Sequence, residues 1–180
     1  MKSGNKIFKE TLIILFVSLM VGLVANKISS KGIPLLRDDS DRFAIDTNVI
    51  KQGEGKQPEK VLTKEGFVKP VNITVQVAKN LFDENAIFID GREPHEFAEG
   101  HIKGAINISY KEFIKKSPEE RQKMMGDLDK EKTIVSYCGG GDCEISIDNA
   151  YEMAKIGYND IKIYLGGYLE WNERGYPVNK

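Results

Sequence analysis

From Thr11 to Asn26 the chain reads TLIILFVSLMVGLVAN, sixteen positions without a charge. An apolar run with no polar face is the pattern of a helix surrounded by hydrocarbon. As a helix those sixteen residues would cover ~24 Å, a little short of a ~30 Å bilayer core. Ile7, Phe8 and Ile28 extend it, with Lys9 and Lys27 snorkelling outward. Over 29–70 the pattern dissolves into four Gly, three Pro and fifteen charges of mixed sign, broken only by short apolar runs. That stretch reads as a tether; the alternative is that Phe43, Ile45, Val49 and Phe67 lay part of it along the following domain as an irregular extension. Regular patterning returns near residue 71. AIFID (86–90) and TIVSY (133–137) are short apolar runs suited to buried parallel strands, and DIKIYL (160–165) predicts a third strand ending at Gly166 and Gly167. Between them lie helical stretches: TVQVAKNLFDEN with Thr74 as N-cap, PHEFAEG opened by Pro94, YKEFIKK after Ser109, and SIDNAYEMAKIG closed by Gly157. Strand and helix in turn predict an α/β fold with a largely parallel central sheet flanked by helices. The chain thus divides into a membrane helix at 1–28, a linker or irregular extension at 29–70, and a folded domain at 71–180.

Composition narrows the partners. With 180 residues, 41% hydrophobic and 29% charged, the chain suits one globular domain plus an appendage. Its 26 basic and 27 acidic residues make no basic field, which argues against nucleic acid as a partner. Lys2, Lys6 and Lys9 precede the apolar run and favour retention of the amino terminus in the cytoplasm. The expected localisation is a single pass through an inner or cytoplasmic membrane, with the soluble domain facing the periplasm or cell exterior. The competing reading, a cleaved signal peptide, requires small residues at the last and third-from-last positions before the cut. Cleavage after Ala25 puts Leu23 at the earlier position, and cleavage after Ser29 or Ser30 puts Lys27 or Ile28 there, so none of these sites suits. Two cysteines and two histidines are too few for a disulfide scaffold or a zinc site of soft ligands alone, and nothing implies a metal or other cofactor.

Both cysteines stand in one segment, TIVSYCGGGDCEISIDNA. Three consecutive glycines after a buried strand are costly in backbone entropy. They make sense where the chain must curl tightly and turn its N–H groups inward, as an anion-binding nest opening into a helix N-terminus. Ligands of parallel sheets collect beyond the carboxyl ends of the strands, where this loop lies. A thiol at the mouth of such a cradle has its thiolate stabilised, which makes Cys138 a candidate nucleophile; otherwise it is a small buried residue at a strand end.

Three ordered motifs in residues 71–180 resemble the rhodanese-like sulfurtransferases: IFIDGREPHEFAEGHIKGAINI, IVSYCGGGDCE and IYLGGYLEWNERGYPV. The resemblance implies that family's fold and a catalytic Cys138 that takes up sulfane sulfur as a persulfide. Gly139, Gly140, Gly141, Asp142 and Cys143 match the loop that surrounds the bound sulfur. A sulfane-sulfur donor and a thiol acceptor are the implied partners. Asp90, Arg92, Glu96 and His101 match positions that hold the scaffold together, Asp90 and Arg92 as an ion pair, and His95 reads as a surface residue. The departure is Cys143, because many active relatives close this loop with Arg or Lys, which would bind an anionic donor. Three readings follow: a membrane-anchored sulfurtransferase, a catalytically silent rhodanese-like binding module, or a thiol–disulfide protein in which Cys143 is a resolving thiol for Cys138.

Overall fold

The computed structural model of the protein describes residues 2–29, 60–141 and 143–180. Helix α1 (Lys2–Ile28) is a unit of its own and contains the apolar run. Its membrane-competent part, Ile7–Ile28, has 22 residues, which at 1.5 Å each give ~33 Å, enough to cross a ~30 Å core. The expected run of sixteen is thus lengthened at both ends, and side chains such as Phe8, Ile14, Phe16 and Val21 stand exposed along it. A membrane span and a signal sequence both satisfy this description.

The second unit carries a five-stranded sheet with strands β1 (Val71–Ile73), β2 (Ile87–Asp90), β4 (Ile106–Asn107), β5 (Ile134–Tyr137) and β6 (Ile161–Tyr164). Their order is β1-β6-β5-β2-β4, and every pairing is parallel. β3 (His101–Ile102) and β7 (Val178–Asn179) form a separate antiparallel pair. The connecting helices are α2 (Val75–Asp83), α3 (Pro94–Glu99), α4 (Tyr110–Phe113), α5 (Pro118–Met125), α6 (Ile145–Lys155) and α7 (Gly167–Glu173). The three strands expected from the hydrophobic pattern occupy the middle of the sheet, and β5 at its centre is buried at all four positions.

Alternation along the strands sends side chains to two cores. Ile89, Ile134, Ile161 and Ile163 face the side closed by Phe113 of α4, Met125 of α5 and Ile147, Ala150 and Met153 of α6. Phe88, Val135, Tyr137 and Tyr164 face Ala78 of α2, Ile102 of β3 and Trp171 of α7. The second core is aromatic, with Trp171 in tilted or edge contact with Phe82, Phe88, Tyr164 and Tyr176. Its indole N–H donates to the Pro177 carbonyl at 3.0 Å, which ties the chain end to α7. Of the apolar residues expected to lay the linker along the domain, Phe67 meets Tyr151 edge-on at 6.1 Å, whereas Phe43, Ile45 and Val49 lie outside the described residues.

Candidate active site

The site is built at the carboxyl end of β5. Tyr137, its last residue, turns its ring into the aromatic core, where its hydroxyl accepts the Ile102 N–H at 3.1 Å. Alternation sends Cys138 the other way, toward the start of α6. There its Sγ lies 3.7 Å from the Ser146 hydroxyl and 3.3 Å from the Cys143 carbonyl oxygen. Ser146 is itself held by Ser136, whose hydroxyl donates to the Ser146 carbonyl at 2.9 Å. Cys138, Ser136 and Ser146 are all fully buried. The sulfur stands at the first turn of an eleven-residue helix, where it meets the positive end of the helix dipole.

Cys138 and Cys143 are joined as a disulfide, with Cα atoms 6.6 Å apart and a sequence separation of 5. That Cα spacing lies within the range a disulfide bridges. The chain between them turns back through Gly140 at φ 112° and Gly141 at φ 67°, a region closed to most side chains. Of the expected loop residues, Cys138, Gly139, Gly140, Gly141 and Cys143 are therefore brought together; Asp142 lies outside the described residues.

The loop rests on α7. The Tyr168 N–H donates to the Cys138 carbonyl at 2.8 Å and the Leu169 N–H to the Gly139 carbonyl at 2.9 Å. These contacts place the two glycine runs against each other. A Cβ on Gly167, whose φ is +60°, would collide with the Cys138 carbonyl oxygen and the Gly140 nitrogen; a Cβ on Gly140 would collide with the Gly166 carbonyl oxygen. In the sequence Gly166 and Gly167 merely end a strand, and their role as the seat of the loop comes from the fold.

Behind the loop stands Arg92. Its guanidinium pairs with Asp90 at 2.6 Å, donates to the Gly100 carbonyl at 2.7 Å and lies 4.7 Å over the Tyr168 ring. Burial alone would lower its pKa, but the hydrogen bonds and charge of Asp90 outweigh that and hold it above the ordinary arginine value. Asn107 ties this corner together, donating to the carbonyls of Asp90 and Arg92 at 3.1 and 2.9 Å. The Glu96 carboxylate accepts the Glu93 N–H at 3.1 Å. His101 stacks on Phe97 at 3.7 Å, with Nδ1 2.8 Å from the Phe97 carbonyl oxygen, and His95 is exposed. Asp90, Arg92, Glu96 and His101 thus brace the scaffold, as the resemblance implied, while His95 lies at the surface. Among the described residues, no three His, Cys, Asp or Glu side chains gather as a metal site would require.

The loop with both cysteines thus stands at the end of the central strand, seated on a Gly-Gly turn and opening into a helix. The model of the Rhodanese-like domain family matches residues 74–174, more than half of the chain. The protein belongs to the rhodanese-like family. Thiosulfate sulfurtransferase 16, chloroplastic, from Arabidopsis thaliana is 29% identical over 113 residues, 61% of this chain and 92% of that protein. A putative mitochondrial thiosulfate sulfurtransferase from Schizosaccharomyces pombe is 33% identical over 97 residues, 51% of this chain and 67% of that one. The crystal structure of the BH2092 protein from Bacillus halodurans superimposes with a TM-score of 0.51 at 24% identity, covering 60% of this chain and 75% of that one, which shows the common fold. Within this rhodanese-like domain, sequence reasoning missed Ser146, Ser136 and Tyr168. Ser146 was legible only as part of a helix start, and its approach to Cys138 depends on how α6 packs against β5.

Proposed function

We propose that the protein is a sulfurtransferase that takes sulfane sulfur onto Cys138 as a persulfide and passes it to a thiol. The observation that carries this reading is the placement of Cys138 at the end of β5, against the first turn of α6 and beside the Ser146 hydroxyl, within a domain of the rhodanese-like family. The thiolate attacks the outer sulfur of the donor, the donor's remaining sulfur leaves as an anion, and the glycine loop surrounds the new persulfide. Because Cys143 stands where many relatives have a cation, the favoured donors are thiol persulfides and polysulfides rather than the dianion thiosulfate. The test is mass spectrometry of the reduced protein after exposure to a sulfane donor. One added sulfur atom on Cys138 supports the reading; a chain that takes up none from any donor class is instead a silent binding module.

The apolar helix and its flanking lysines support anchoring in a membrane with the domain on the non-cytoplasmic side. Membrane fractionation and protease accessibility from outside the cytoplasm test this, and a soluble species beginning near Asn26 or Lys31 would mean cleavage instead. The Cys138–Cys143 disulfide favours a second reading, a thiol–disulfide redox protein. It is distinguished by reversible disulfide formation without any sulfur uptake.

A further inference from the structure

The two readings meet in one reaction. Resting on the sulfurtransferase reading, we propose that the Cys138 persulfide is resolved by Cys143 of the same loop, which displaces the outer sulfur as hydrosulfide. The domain then reduces sulfane sulfur to hydrosulfide and is recharged by an external dithiol. Three observations carry this. Both cysteines lie in one loop, and their sulfur atoms meet, so no other chain is needed to bring a thiol to the persulfide. The loop is held unequally: the Cys138 and Gly139 carbonyls are pinned by α7, whereas Gly141 is exposed with nothing within 4 Å of where its Cβ would stand. The Cys138 end is thus fixed as far as Gly140, which packs against the Gly166 carbonyl, and the open position of the loop, Gly141, lies on the Cys143 side. Finally, Cys138 is fully buried in the disulfide while Cys143 is partly exposed. An incoming thiolate therefore meets Cys143, and the sulfur it displaces is Cys138, whose negative charge the start of α6 and the Ser146 hydroxyl receive.

The chemistry balances in three steps. The Cys138 thiolate attacks the outer sulfur of a thiol persulfide, and the donor leaves as its thiolate. The Cys143 thiolate then attacks the Cys138 sulfur; the sulfur–sulfur bond of the persulfide breaks, hydrosulfide leaves, and the Cys138–Cys143 bond forms. The transferred sulfur has gained two electrons and the two cysteines have lost them. An external dithiol next attacks Cys143, then closes on itself to its own disulfide, and both cysteines return to the reduced form.

The test uses full-length protein in detergent, reduced with a phosphine, freed of reductant, and mixed with one equivalent of glutathione persulfide. Wild type is expected to release about one sulfide per chain and to end as the Cys138–Cys143 disulfide with no sulfur retained. Cys143→Ser is expected to keep the added sulfur on Cys138 and to lose sulfide release until a thiol is added. Cys143→Ala, checked with Cys143→Ser by circular dichroism, guards against an effect of misfolding. Wild-type protein that holds the sulfur on Cys138 while Cys143 remains a free thiol overturns the inference and leaves the sulfurtransferase reading standing. If neither wild type nor the Cys143 variants take up sulfur, that parent reading fails and the inference falls with it.

Discussion

At the scale of single residues, Cys138 and Cys143 separate two effects that a thiol pair usually confounds. Cys138→Ser keeps nearly the same side-chain volume but puts a far weaker acid at the start of α6, so sulfur uptake should vanish. The stability effect depends on redox state. Closing a six-residue loop by a disulfide contributes roughly 2 kcal/mol in the chain-entropy picture, so oxidised wild type should exceed Cys138→Ser by about that much, and reduced wild type by ~1 kcal/mol or less. Urea denaturation with and without reductant measures both values, and a serine variant that still accepts sulfur would reassign the nucleophile to Cys143. Cys143→Arg asks a different question, because it puts a guanidinium where the family resemblance implies a cation. Charge-assisted hydrogen bonds to thiosulfate contribute about 1.5–3 kcal/mol when well formed, or roughly ten- to a hundred-fold in the efficiency of the first sulfur transfer. Measuring sulfite released in a single turnover isolates that step from the loss of the Cys143 thiol. Efficient thiosulfate use by wild type, unchanged in the arginine variant, would refute the donor preference.

At the scale of elements, the seat that α7 provides for the loop has a mutational signature of its own. Gly167 and Gly104 both have positive φ, +60° and +78°, but nothing lies within 4 Å of a Cβ on Gly104, whereas one on Gly167 runs into the loop backbone. Gly104→Ala should therefore cost only the backbone strain, about 1 kcal/mol. Gly167→Ala should cost about 2–4 kcal/mol, since the loop itself must move, and sulfur uptake by Cys138 should fall with it. Equal destabilisation of the two variants, with sulfur uptake intact in Gly167→Ala, would show that the loop does not depend on this seat. The contrast also marks what was legible in the sequence. β2 and β5 announced themselves as apolar runs because they are buried on both faces, β6 did so by its alternation and closing glycines, and the loop through its glycines and cysteines. β3, β4 and β7 have two residues each, too few for any period, and exist through pairing with distant chain. Helix α5, PEERQKMM, buries only Met125 and so has no apolar stripe; its one signal was the Ser117 cap with Pro118 and Glu120 behind it. The contacts that complete the site, Ser146 with Cys138 and Arg92 over Tyr168, join residues whose spacing in sequence carries no such mark.

At the scale of the whole molecule, the aromatic core makes folding stability sensitive to alkali. Burial pushes the Tyr137 hydroxyl far above its ordinary value of 10.0, and the charge of Asp90 adds to it. Tyr164 is raised for the same first reason, with the Glu170 carboxylate, which accepts its hydroxyl at 3.0 Å, as the second. Both groups are neutral when protonated, so the folded chain keeps two protons that the unfolded chain gives up above pH ~10. The unfolded state then binds fewer protons, and stability falls as pH rises. The contribution is fully present below pH ~10 and is lost above it, at up to ~1.4 kcal/mol per pH unit for each tyrosine until the folded groups ionise as well. Urea midpoints of the oxidised protein between pH 8 and roughly pH 11.5 should therefore be flat at first and then drop, with the tyrosinate absorbance of Tyr137 and Tyr164 appearing only as unfolding proceeds. Tyr164→Phe should remove one tyrosine's share of that slope at a neutral-pH cost of about 1 kcal/mol, because its carboxylate partner also pairs with Arg174 at 2.8 Å and keeps a partner. Tyr137→Phe should remove an equal share but cost more at neutral pH, about 1–3 kcal/mol, since it leaves the buried Ile102 N–H without its acceptor. A slope unchanged in both variants would mean that the alkaline sensitivity has its origin outside this core.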